Sequence, residues 1–598
     1  MPEKAKPWSS RSPIQRRVPK PPFRSLKVYA FDPSRGRNYG NYMTLKVPFE
    51  YPLTPGPVGE YIAVVDYDPA NQCYYEPVDL NDRWILANDG LDPAESDPRF
   101  HQQMVYAVVS ETIKRFKFAL GRDIKWRRGQ KDPLLGGKLL LLPHGMQEAN
   151  AFYDPKMHAI VFGYFTASET DASSNIPGQT VFTCLAHDVI AHETTHALVD
   201  GIRRFFMEPT NIDVAAFHEA FADIVALLQH FSMKEALLEA LRGTRGTLYR
   251  AQMSPGSRPS APEPVISAEM ESDNPLVVLG KQFGDSIGLH RGLREALGTP
   301  ANPKALEDLV EPHARGSILV AALFDAFFTA FLRRTADLWR IAGVSRDEAR
   351  DIDLQADLLG RLANEASKTA GHFETLCIRA LDYCPPVDIT FGDYLRALIT
   401  ADHDLVKDDD LGYRAALIDA FRLRGIHPES VTSYSEESLL WTPPDKACSL
   451  RGLRMPSPDM EDDERAAVLK RDAQKIYGFA KENAELLGIS NAGNIFVNSF
   501  HSINRVGPDG EMEHEMVAEV IENGPGAKTV GDPATFGGAT IVFDPRGKVR
   551  YAVRKSLKGD RAENQAAFRQ ELWERTALGP YEAYRNVKLD FRAMHRGF

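Results

Sequence analysis

The chain has 598 residues, 43% hydrophobic and 26% charged, too long for one compact core and ordinary in composition for two or more globular domains. Its formal charge of −11 excludes general nucleic-acid binding, which needs a concentrated excess of Lys and Arg to neutralise phosphate. The five cysteines, Cys73, Cys184, Cys377, Cys384 and Cys448, are scattered and form no C-x-x-C pair, which fits a reducing compartment, the cytosol, rather than a disulfide scaffold.

Residues 1–24 read as a disordered basic arm, rich in Pro and without the apolar stretch of a secretory signal. A β-rich region, 25–180, follows, with "SLKVYAFD", "YMTLKVPFEY" and "EYIAVVDYD" as strand-like runs broken by Pro, Gly and Asn. Within it, "DPRFHQQMVYAVVSETIKRFKFALG" has helical spacing, a Pro-containing start and a closing Gly121. "GKLLLLPHG" and "NAFYDPKMHAIVFGYF" then read as strands, with Asp154-Pro155 as turn punctuation. Residues 181–428 read as successive helices. The Ser-, Pro- and Glu-rich stretch from Met253 to Asn274 interrupts them as a long loop, a lid or a tolerated insertion. The longest apolar run, "SILVAALFDAFFTAFL", is shorter than a membrane span and holds Asp325, so it is expected to be a core helix. Residues 429–462 read as a linker and 463–598 as an appended α+β module, a candidate site for a protein partner.

The chemistry concentrates in "VFTCLAHDVIAHETTHALVDG", an apolar helix crowded with ionisable groups. Residues four apart share a helix face, so His192 and His196 can aim two imidazole nitrogens at one point, with Glu193 beside it to take a proton from water. This is the H-E-x-x-H zinc motif. A catalytic zinc commonly takes three protein ligands, and "AAFHEAFADIVALLQHF" offers Glu219 as the third. Asp223, four residues on, is placed to hold the far nitrogen of a ligand histidine. His187, His218 and His230 lie on the same two helices and read as structural.

With these residues the sequence resembles the thermolysin-like zinc metallopeptidases, whose third ligand stands in an E-x-x-x-D motif. The resemblance implies an α+β fold: a thermolysin-like two-lobed zincin with a β-rich N-terminal lobe and a helical C-terminal lobe, here followed by the extra module. It also implies one catalytic Zn2+, a peptide or protein substrate, and Glu193 as general base. "NAFYDPKMHAIVFG" is similar to the family's cleft-lining strand, which makes Asn150 and Ala151 substrate-backbone binders. "DLVEPHARGSILVAALFDAF" is similar to the segment carrying a transition-state histidine, which makes His313 the oxyanion donor and Asp308 the acid that orients it.

The departures are specific. The family's oxyanion tyrosine is missing between Ala197 and His218, which leaves Tyr153 or Tyr164 as substitutes. The acid cluster after the third ligand is replaced by "IVALLQHF", which speaks against a calcium site, and no signal or long propeptide is visible. Two alternatives stay open: a catalytically weak or inactive peptidase-like scaffold whose module binds protein partners, and an aminopeptidase. Neither a nucleic acid nor a membrane is expected as a partner.

Overall fold

The computed structural model describes residues 20–36, 40–126, 136–170, 175–243, 246, 278–279, 294–295, 301–344, 354–444, 446–453, 460, 462–491, 493–506, 510, 512–524, 534–575 and 589–595. Most of the expected basic arm and the whole Met253–Asn274 stretch lie outside them. The fold is α+β, with several small sheets and a larger share of helix.

Strands Phe23–Tyr29 and Tyr42–Pro48 pair antiparallel, and their alternation buries Leu26, Val28, Leu45 and Val47 on one face. Helix Pro98–Leu120 starts where Asp97 accepts from the Arg99 amide and ends at Gly121 in the left-handed conformation, both as the sequence signals require. Beside it lies a five-stranded mixed sheet. Its order is Ile62–Val64, Leu139–Met146, Ala159–Thr166 and Ala151–Asp154, with Thr180–Phe182 also paired to Ala159–Thr166. The turn at Asp154 closes through its own carboxylate, which accepts from the Lys156 and Met157 amides. This leaves Ala151–Asp154 as an edge strand against helix His187–Ile202.

The helical part is built on Ile212–His230, which packs against His187–Ile202 on one side and Pro312–Arg334 on another. The apolar run falls in Pro312–Arg334 as expected. Among the described residues one stretch, Pro312–Ala342, is long and apolar enough to cross a bilayer, and 67% of its most apolar window is buried inside the protein. Asp325 on it is paired with Arg424.

Residues 462–575 form a unit with its own core. Helix Asp462–Glu482 packs on a four-stranded antiparallel meander, Ile495–Val506, Met512–Asn523, Phe536–Phe543 and Val549–Lys555, around Ile476, Phe479, Val520 and Ile541. It is not a loose appendage. Charged pairs join it to the helical part: Arg203 with Glu519, Arg505 with Asp382, Arg550 with Asp404, and Lys555 with Asp393. The expected linker 429–462 is also partly folded onto that surface. Leu439 is buried, Arg396 donates to the Leu439 and Leu440 carbonyls, and its guanidinium lies 3.9 Å over Trp441. Residues 589–595 leave the unit altogether and return to the edge strand Ala151–Asp154.

Candidate metal centre

Helix His187–Ile202 is buried along almost its whole length. Thr194 and Thr195 make this tolerable by donating their hydroxyls back to the Ile190 and Ala191 carbonyls. Helix Ile212–His230 is capped by Asn211, whose side chain accepts from the Asp213 amide, and Glu219 sits in its middle with no exposure. Helix Pro312–Arg334 closes in over Glu219 because Gly316 has no side chain. A Cβ there would stand 2.8 Å from the Ala216 carbonyl oxygen and 3.3 Å from the Ala220 amide nitrogen.

The three expected ligands converge. His192 Nε2 and His196 Nε2 are 2.9 Å apart, and the Glu219 carboxylate lies 3.4 Å from the first and 3.5 Å from the second. Ligands of a tetrahedral zinc with bonds near 2.0–2.1 Å stand roughly 3.3 Å apart, so the spacing suits that ion. The outer nitrogens of both rings have partners. His192 Nδ1 is 2.9 Å from Asp223, a carboxylate that can only accept, so this nitrogen carries the proton. His196 Nδ1 is 3.2 Å from Nδ1 of His218, a ring that burial holds down at about 4 and therefore keeps neutral and able to accept. His192 Nε2 then turns a lone pair toward the point that His196 Nε2 and the Glu219 carboxylate also face, an arrangement that asks for a cation. Glu219 is held ionised: burial opposes this, but the facing His313, His196 and His595 rings keep its carboxyl well below the usual range. Three donors with a −1 charge fit zinc.

Glu193 faces the same space, its Oε2 accepting from the Tyr153 amide at 2.9 Å. The edge strand runs alongside, entered through Asn150 and Ala151. Gly163 lets it approach, because a Cβ there would meet the Asn150 carbonyl oxygen at 2.6 Å. Tyr153 and Tyr164 are not available as oxyanion donors. The Tyr153 hydroxyl donates to Asp200 and the Tyr164 hydroxyl to Asp68.

His313 faces the same carboxylate, with Nε2 2.9 Å from Glu219 Oε2. Its partner acid is corrected. Asp308 is exposed on the short helix Ala305–Asp308, and Glu311 instead holds His313 Nδ1 at 2.7 Å while capping the helix by accepting from the His313 and Ala314 amides. Burial pushes the Glu311 carboxyl up, but these hydrogen bonds outweigh it and hold the carboxyl below its ordinary range. The sequence did carry the signal: an acid directly before a proline at the first helical position is a helix cap, which also fixes where its carboxylate points.

Two further histidines line the site. His218, structural by its place on its own helix, is an outer partner of His196, a contact that forms only where the two helices cross. His595 comes from the far end of the sequence. Its Nε2 is 3.4 Å from Glu219 Oε2, and its Nδ1 donates to the Ala151 carbonyl at 2.9 Å and stands 3.2 Å from Glu193 Oε1. One ligand atom each from His192, His196, Glu219 and His595 lies within 4.8 Å of all the others. No local pattern around His595 announces this.

A second buried group, His101, His144 and Cys184, has similar residue types and no carboxylate ligand. Its outer ring nitrogens are engaged by the Glu95 carbonyl and Asp66, and burial pushes the Cys184 thiol well up. The cleft with Glu193 and the edge strand is therefore the candidate site. No family model matches the chain, and no curated protein is similar to it.

Proposed function

We propose that the protein is a zinc-dependent metallopeptidase with the two-lobed organisation of the thermolysin-like family its sequence resembles. The observation that carries this reading is the convergence of His192, His196 and Glu219 with Glu193 beside them and an edge strand alongside. A zinc held there would supply a Lewis acid for the scissile carbonyl and bring the pKa of its water towards about 7. Glu193 takes the proton of the attacking water and passes it to the leaving amine. His313 donates from Nε2 to the developing oxyanion as an imidazolium, with its Nδ1–H given to Glu311 and the Glu311 carboxylate balancing the ring's charge. Asp223 and His218 orient the ligand rings. Asn150 and Ala151 hold the substrate extended along Ala151–Asp154, as an added strand. The five unpaired cysteines support a reducing location, the cytosol.

The scaffold reading draws on His595, since four protein ligands are the mark of a structural zinc site. Glu193 favours the enzyme, because a structural site has no use for a base in that position.

Metal content by elemental analysis and hydrolysis of a broad set of fluorogenic peptides test the proposal. Each is measured with Glu193 or Gln at position 193, in the wild-type chain and in His595→Ala. We expect about one catalytic zinc whichever residue stands at 193, and a rate lower by about 10²–10⁴ with Gln. Equal hydrolysis by the Glu193 and Gln forms, or no bound metal, defeats the reading.

A further inference from the structure

The segment 589–595 lies where a substrate would lie. Asn150 Nδ2 donates to the Arg592 carbonyl at 3.3 Å, and the Ala151 carbonyl accepts from His595, so the two residues expected to hold a peptide backbone hold this segment. Phe591 stacks on the ligand His196 with ring centroids 4.1 Å apart and planes at 27°. Arg592 pairs with Glu148 at 2.8 Å, at the mouth of the same strand. Leu589, Phe591 and Met594 are buried, and Asp590 caps the short turn by accepting from the Ala593 amide. These contacts deliver His595 to the metal ligands with Nδ1 already committed to Ala151 and Nε2 turned inward.

We propose that this chain carries its own active-site ligand: His595 supplies Nε2 as a fourth protein ligand to the metal while residues 589–595 fill the peptide cleft, so the site is latent until the segment leaves. This rests on the metallopeptidase reading. A catalytic zinc site keeps one position open for water, and a histidine seated there closes it. The same ring lies against Glu193, so one residue blocks both the nucleophile's place and its base. The exchange is reversible and needs no covalent step: the imidazole lone pair leaves as water enters. Because the ligand is tethered, its displacement is a competition that a free peptide wins only at a concentration above the segment's effective one. A substrate must displace it, or the segment must be drawn away by a partner or cut.

The test uses the full-length protein loaded with Co2+ in place of zinc and titrated with acetohydroxamate, a small metal chelator, followed by visible absorption. Wild type, His595→Ala and His595→Gln are compared, with circular dichroism as the control for folding. A chain ending at Lys588 serves if neither point variant folds. We expect the His595 variants to show a different cobalt spectrum and to be half-saturated at roughly 10- to 100-fold less hydroxamate than wild type. Their peptide hydrolysis should rise by a similar factor. Identical spectra and titrations in wild type and variants overturn the inference while leaving the peptidase reading in place. Easier hydroxamate binding without any peptide hydrolysis supports the inner ligand and sinks the peptidase. Failure of every form to bind cobalt overturns both.

Discussion

Arg203 follows directly on the helix that carries His192 and His196, and it is the point where that helix is clamped to the 462–575 unit. Its guanidinium donates to the Glu519 carboxylate on strand Met512–Asn523, to the Leu381 carbonyl and to Thr540 Oγ1 at 3.2 Å. Both side chains of the ion pair are only 1% exposed. Arg203→Met fills the space but leaves a buried carboxylate that keeps, among the described residues, only the hydrogen bond from Asn498 at 2.7 Å. Removing one member of such a pair costs about 3–5 kcal/mol, whereas replacing both by apolar residues is often close to neutral. Arg203→Met should therefore lower the opening free energy of the Met512–Asn523 amides by about 3–5 kcal/mol in native-state hydrogen exchange. Arg203→Met with Glu519→Leu should recover more than half of the loss. A loss below about 1 kcal/mol for the single variant, or a double variant no better than the sum of the singles, would refute the claim that a desolvated charge pair holds the unit to the metal-bearing helix.

Acid should loosen the same junction. Burial and the Arg122 cation, against the pull of Asp382 and Glu519, hold His501 at about 4. Between its unfolded value near 6.5 and about 4 only the unfolded chain takes the proton, so stability is full above that window and falls by about 3 kcal/mol as pH drops through it. Denaturant midpoints at pH 7 and pH 4.5 check this, and His501→Asn should flatten the difference. Asp223→Asn should weaken zinc binding about 10- to 100-fold in a competition with a chromophoric chelator, because the His192 ring loses the carboxylate that fixes its tautomer. Gly316→Ala should cost about 1–3 kcal/mol in thermal unfolding and lower kcat, because the added methyl meets the Ala216 carbonyl and pushes His313 away from Glu219. His313→Gln should lower kcat about 10²–10³-fold with KM little changed.

Whatever depends on local spacing is legible in the chain alone. Four-residue steps on a helix place His192 with His196 and Glu219 with Asp223, because 3.6 residues per turn leave no other arrangement once the helices form. Alternation, cap residues and the Asp154 turn likewise set the edge strand beside them. What depends on how elements cross was decided only by the tertiary structure. His218 faces away from Glu219 on its own helix, yet the neighbouring helix brings His196 to it. Glu311 displaced Asp308 because the helix begins at Pro312, turning the capping carboxylate onto His313 and leaving Asp308 in solvent. Tyr153 and Tyr164 were lost as oxyanion donors to buried Asp200 and Asp68. His595 lies 376 residues from the glutamate it faces. Closing such a loop leaves no mark in local periodicity, because the contact is selected by the shape and charge of a cleft that exists only after the chain has folded.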